Sequence, residues 1–115
     1  MDQSDGRVFD LADLVKTSEQ RGTPYFEFLR VPALSSGIFR LVAGAVDDQT
    51  AHDEDEVYFV LRGRAQLIMG GESTDLEPGS ILYIPADMDH RFVNIEEDLS
   101  VLVFFGSGGP SGAEL

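Results

Sequence analysis

The sequence holds two histidines, His52 and His90, and a glutamate, Glu56, follows the first of them within one short segment. Neutral imidazole nitrogen and ionised carboxylate oxygen are the donors that Fe(II), Mn, Ni and Zn accept, and two imidazoles with one carboxylate leave coordination positions open. If the segment is extended, Thr50 and His52 point the same way, and a neighbouring strand can bring Glu56 back toward the His52 imidazole. Farther along, PADMDHRFVN places His90 and Asn94 on one strand face with Phe92 between them. A plain account competes with each histidine: His52 sits in the acidic run AHDEDE, and His90 follows a turn.

These side chains need a frame that brings distant strands together. Phe9 to Lys16, FDLADLVK, reads as one short helix with Asp10 as its N-cap and Leu11, Leu14 and Val15 on one face. From Tyr25 onward the pattern is all-β. Strands are expected over Tyr25 to Arg30, Gly37 to Val42, Thr50 to His52, Glu56 to Leu61, Ala65 to Met69, Glu72 to Asp75, Ile81 to Ile84, His90 to Asn94 and Leu99 to Phe105. Gly70-Gly71 supplies a tight hairpin and Glu77-Pro78-Gly79 a second turn. Short strands at regular spacing point to a sandwich or barrel. Several strands, such as Val57 to Leu61 and the run VLVFF, are apolar on both parities, so a second layer must cover the outer face; a homodimer is the economical expectation.

With 115 residues the chain fits one domain, 1–115, and 43% hydrophobic content is enough for a core of its own. Twenty-one acids against eight Lys plus Arg give a net charge of −13, which repels nucleic acid and anionic membrane surfaces. The bland account of that charge is solubility, and Asp47, Asp48, Asp53, Glu54 and Asp55 read as a solvated rim, with Asp55 facing away from Glu56 by strand parity. Without cysteine there is no disulfide, no thiolate metal site and no Cys nucleophile. No signal-like or membrane-spanning run occurs, and a cytoplasmic protein is expected. Residues 1–6 and the Gly/Ser/Pro-rich tail 106–115 are expected to be disordered.

The spacing from Gly44 through Thr50, His52 and Glu56 to Gly63, followed by Gly79, Pro85, His90 and Asn94, resembles the paired motifs of the cupin family. The resemblance covers a barrel core of about residues 37–105. It implies a jelly-roll β-barrel (a double-stranded β-helix) with one divalent metal ion held inside by His52, Glu56 and His90, and it is compatible with a dimer. Two positions depart from the pattern. Thr50 stands where a further histidine is usual, so a fourth protein ligand is missing; Thr50→His would then be expected to raise metal retention. Asp87 stands where glycine is common, and Asp tolerates the left-handed backbone such a turn needs.

By alternation Tyr58 shares the interior with Glu56, and Phe92 with His90; core packing is the ordinary role for both rings. Tyr58 and Arg40 are the candidate catalytic or substrate-orienting residues, Arg40 only if it points inward, and Met88 lies near the site. Asn94 is expected to fasten a loop. The functional expectation is a metal-dependent dioxygenase or isomerase acting on a small organic substrate. The alternative is a non-catalytic small-ligand barrel, with or without metal, which the missing histidine supports.

Overall fold

The computed structural model describes residues 6–49 and 51–106; the expectations for residues 1–5, Thr50 and 107–115 fall outside the described residues. Helix α1 spans Leu11–Arg21 and starts where expected, with the Asp10 carboxylate accepting the Ala12 N–H at 2.9 Å. It runs past Lys16 because the following residues include Glu19, Gln20 and Arg21, good helix formers that carry the coil beyond its apolar positions. Gly22, at φ 70°, ends it.

Among the described residues six antiparallel strands follow: β1 Tyr25–Val31, β2 Leu34–Leu41, β3 Glu56–Met69, β4 Glu72–Leu76, β5 Ile81–Ile84 and β6 His90–Gly106. Their order is β1-β2-β6-β3-β4, with β5 on the free side of the first half of β3. Gly70 and Gly71 have φ of 59° and 86°, the two positive values a two-residue hairpin demands between β3 and β4.

Two pairs of expected strands are fused. Glu56 to Leu61 and Ala65 to Met69 are one strand, β3, and His90 to Asn94 and Leu99 to Phe105 are one strand, β6. The apparent breaks are a fold line. Register between β3 and β6 shifts repeatedly from Val60 to Gln66, and Asn94 has φ 49°. Gly63 (φ 99°) lies so close to the Asp98–Leu99 backbone that a Cβ there would collide with it. The ribbon therefore bends over on itself. Glu56, opposite Phe105 at one end of the ladder, meets His90, opposite Met69 at the other. Gly106, expected in the disordered tail, is instead the last residue of β6, paired with Leu34 and donating its N–H to the Asp55 carbonyl.

The strand expected over Thr50 to His52 is absent at Ala51 and His52, which lie in an irregular connection between β2 and β3. Local polar bonds replace a ladder there. Asp47 was expected on a solvated rim but is 6% exposed, its carboxylate accepting from Phe92 N–H at 2.8 Å and from the Gln49 side chain. At the other end of the segment, Asp87 donates its N–H to the His52 carbonyl at 2.7 Å. Asp87 has φ 65°, so the turn does accommodate the departure from glycine.

The barrel interior is filled by Tyr58, Val60, Leu67, Ile84, Phe92 and Val101, among others. The outer face of the same strands carries Val57, in register with Tyr83 on one side and Phe104 on the other; all three are exposed, as is Ile81. Strands apolar on both parities are thus present as expected. Among the described residues no helix is long and apolar enough to cross a membrane.

Candidate metal centre

Alternation along β3 turns Glu56 and Tyr58 inward and Val57 outward. His90 opens β6 from across the fold line, and the irregular segment before β3 supplies His52. Glu56 and His90 are almost fully buried, with Glu56 Oε2 and His90 Nε2 3.5 Å apart. One donor atom from each of His52, Glu56 and His90 lies within 4.8 Å of the others. Two donors on one tetrahedral ion with bonds near 2.1 Å stand about 3.4 Å apart, which is close to the Glu56–His90 spacing, with the His52 donor no more than 4.8 Å from either.

His90 Nδ1 is 3.0 Å from the Met88 carbonyl, an acceptor only. That bond assigns the ring proton to Nδ1 and turns the Nε2 lone pair to the interior, the arrangement in which a backbone carbonyl orients a ligating imidazole. The Tyr58 hydroxyl lies 3.0 Å from both Glu56 Oε1 and His90 Nε2. Its one proton can serve only one of them. Burial pushes the Glu56 carboxyl above its ordinary value, partly offset by His90, His52 and the Tyr58 hydrogen bond. Burial, reinforced by the Glu56 charge and hydrogen bond, pushes the Tyr58 hydroxyl far above the usual phenol range. The cluster is thus rich in lone pairs and short of protons in a dry place, a donor chemistry that fits a divalent cation.

Beside this cluster is a cavity of about 270 Å3 lined by Tyr25, Phe39, Gln49, His52, Tyr58, Val103 and Phe105. Phe92 fixes the Tyr58 ring by stacking on it at 5.6 Å and continues to Phe39 at 5.8 Å, the packing role expected of it. The Met88 side chain packs on the core while its carbonyl does the orienting work. Asp55 does face away, accepting from Ala86 N–H at 2.9 Å and from the Tyr83 hydroxyl.

Two sequence candidates are not part of the cluster. Arg40 does not enter the cavity: Phe39 takes the inward position on β2, and the Arg40 guanidinium donates to the Ser18 carbonyl of α1 at 3.4 Å. Asn94 does not share the inner face with His90, because its left-handed backbone reverses the alternation; it is exposed and donates to Gln66 Oε1 at 2.6 Å, tying β6 to β3. Conversely, Tyr25, Gln49 and Phe105 at the cavity wall were not singled out. Tyr25 and Phe39 are register partners on neighbouring strands, so inward parity could have found Tyr25; nothing in the acidic run marks Gln49.

The sequence profile of the family described as Cupin domain matches residues 37–105. A Streptomyces coelicolor protein named Uncharacterized protein SCO3923 is 42% identical over 99 residues, covering 86% of this chain and 94% of that protein. Among solved structures, the DMSP lyase DddQ from Ruegeria pomeroyi superposes with a TM-score of 0.63 at 24% identity, over 67% of this chain and 40% of the lyase, so the chain spans less than half of that enzyme. KdgF from Halomonas sp. superposes with a TM-score of 0.63 at 24% identity, over 71% of this chain and 76% of its own length. At such identities the structural likeness concerns the fold. With the antiparallel barrel and the matched profile together, the chain belongs to the cupin domain family.

Proposed function

We propose that this protein is a divalent-metal-dependent enzyme that moves a proton on a small organic molecule, the isomerase side of the two reaction classes expected from the sequence. The observation that carries this is the Tyr58 hydroxyl, held at 3.0 Å from both Glu56 and His90 by a side chain that lines the cavity. His52, Glu56 and His90 would hold the ion, which when bound polarises a substrate oxygen. As Tyr58 Oη takes a proton from the substrate, its own proton passes to Glu56 Oε1 along their 3.0 Å hydrogen bond, and both return in the reverse sense at a second substrate position, so that phenol and carboxylate are regenerated. Phe39, Val103 and Phe105 keep water from that exchange. The lyase activity in the name of one structural relative is compatible with proton transfer of this kind.

The test is solvent deuterium exchange. Protein loaded in turn with Fe, Mn, Ni or Zn is incubated in D2O with small ketones and hydroxy acids and followed by NMR, with dissolved oxygen recorded in parallel. Exchange that drops by about 100-fold or more in Tyr58→Phe supports the proposal. Oxygen consumption without exchange would favour the dioxygenase class, and binding without either would favour the non-catalytic ligand barrel, for which the largely apolar cavity lining speaks.

We further infer a homodimer formed by the outer face of β5, β3 and β6, where Val57, Tyr83 and Phe104 lie side by side in register. A stable pair of this kind buries on the order of 2,000 Å2. Light scattering should give twice the 12.6 kDa chain mass, and Val57→Lys should return the monomer. A monomer in the unaltered protein at micromolar concentration rules the dimer out.

A further inference from the structure

Two hollows flank the metal centre. The apolar cavity is bordered by His52 and Tyr58, and a second hollow of about 270 Å3 is lined by Ile68, Gly71, Asp89, His90 and Arg91. The His90 ring stands 5.7 Å from the His52 ring and 5.9 Å from the Tyr58 ring between centroids, so little more than this one residue separates the two spaces. Gln49 is the one described residue that lines both.

A half-buried glutamine on an irregular connection would ordinarily sample many rotamers, and this one is held. The Asp47 carboxylate accepts the Gln49 main-chain N–H at 3.2 Å and the Gln49 side-chain Nε2 at 2.6 Å. A carboxylate only accepts, so the amide must turn its nitrogen toward Asp47. Asp47 is in turn fixed by the Phe92 N–H at 2.8 Å and is itself buried. Two main-chain N–H groups already serve that carboxylate, so the bond from the amide adds to the placing of Gln49 more than to that of Asp47. The same side chain approaches the Tyr58 hydroxyl as a hydrogen-bond donor, opposing the upward push that burial and the Glu56 charge give its ionisation. Gln49 is thus clamped between Asp47 and Tyr58, where the two hollows meet.

We propose that Gln49 is a specificity-determining residue: its clamped side chain closes the apolar cavity toward the second hollow and limits the length of the molecule that can lie beside Tyr58. Phe39, Val103 and Phe105 reward apolar length, so affinity should rise by about fourfold for each buried methylene until the chain meets Gln49. The class selected is a short-chain, apolar-bodied carbonyl compound. The inference rests on the cavity being the substrate pocket, as proposed above, and does not require the ion.

The experiment titrates a series of methyl ketones, from butanone to decanone, into zinc-free protein and into Gln49→Ala, followed by protein NMR. In the unaltered protein the gain per methylene should fall below about twofold at one chain length, beyond which added carbons stay in water. In Gln49→Ala the fourfold gain should continue for about two further methylenes, while butanone, too short to reach the wall, binds both proteins within about twofold. A break at the same length in both proteins, no break in the unaltered protein, or no ketone binding overturns the proposal. Equal weakening of every ketone, butanone included, shows a general disturbance and overturns it too. Gln49→Ser, whose hydroxyl can still donate to Asp47, is carried in parallel; if neither small variant folds, Gln49 is a structural residue and the proposal fails. Because binding is read without zinc, absence of deuterium exchange in the metal-loaded protein would sink the isomerase reading and leave the length limit standing.

Discussion

Asp47 and Glu56 are both buried carboxylates at the same end of the barrel, and their surroundings differ in kind. Asp47 accepts from the N–H groups of Phe92 and Gln49 and from the Gln49 amide, so fixed donors occupy its oxygens. Glu56 has a single shared phenolic proton and two imidazoles, and burial leaves its carboxyl above the ordinary range. One acid is saturated by backbone and holds the chain in place. The other keeps lone pairs in reserve, which is the condition of a group that binds something.

The contrast can be broken most sharply at Glu56. Glu56→Ala should lower metal retention by more than about 100-fold, as befits a lost ligand, with little loss of stability in the metal-free protein. Metal content after timed dialysis against a chelator, alongside a urea titration, measures both. Equal retention would show that Glu56 is not a ligand.

Asp47→Ala should do the reverse. Leaving the buried Phe92 N–H without an acceptor is expected to cost about 2 kcal/mol of stability, read as a lower urea midpoint at unchanged slope. Intrinsic metal affinity should fall less than in Glu56→Ala, since Asp47 offers no atom to the cluster.

The smallest effect is the pH dependence of the metal-free protein. The folded-state pKa of Glu56 is raised, so its contribution to stability is fully present below the ordinary carboxylate range and is lost as pH rises through the raised value. Metal binding needs the ionised form and runs the other way, weakening as pH falls through the same window. Urea midpoints followed upward in pH from the ordinary carboxylate range should therefore slope oppositely with and without bound zinc, and parallel curves would contradict this account of Glu56.

The sequence made the inward set of β3 legible because alternation is local: Glu56, Tyr58 and Val60 follow from parity alone. It also gave the helix cap at Asp10 and the Gly70-Gly71 hairpin, where a single residue type answers a backbone demand. What stayed hidden depends on distant partners. Gly63 and Asn94 look like strand ends, and only the close approach of Asp98 to Gly63 shows that the ribbon continues through them. Asp47 looked like one acid of a solvated run, and its burial depends on a Phe92 N–H far along the chain. Arg40 had no local signal for direction; Phe39 beside it claims the inner position.

The ladder folded over at Gly63 and Asn94 has a consequence for how the protein reaches its native form. One pair of strands, β3 and β6, lies in both layers of the barrel and carries Glu56, Tyr58 and His90. A pairing error of one residue in its first half would exchange Glu56 and Tyr58 for Val57 on the inner side and leave Tyr58 in the solvent beside Ile81 and Tyr83. The same slip would abolish the centre and rewrite the outer surface together. Assembly of this chain therefore has one decisive alignment, and the close contact of Gly63 with the Asp98–Leu99 backbone, which leaves no room for a Cβ, forms only when that alignment is right.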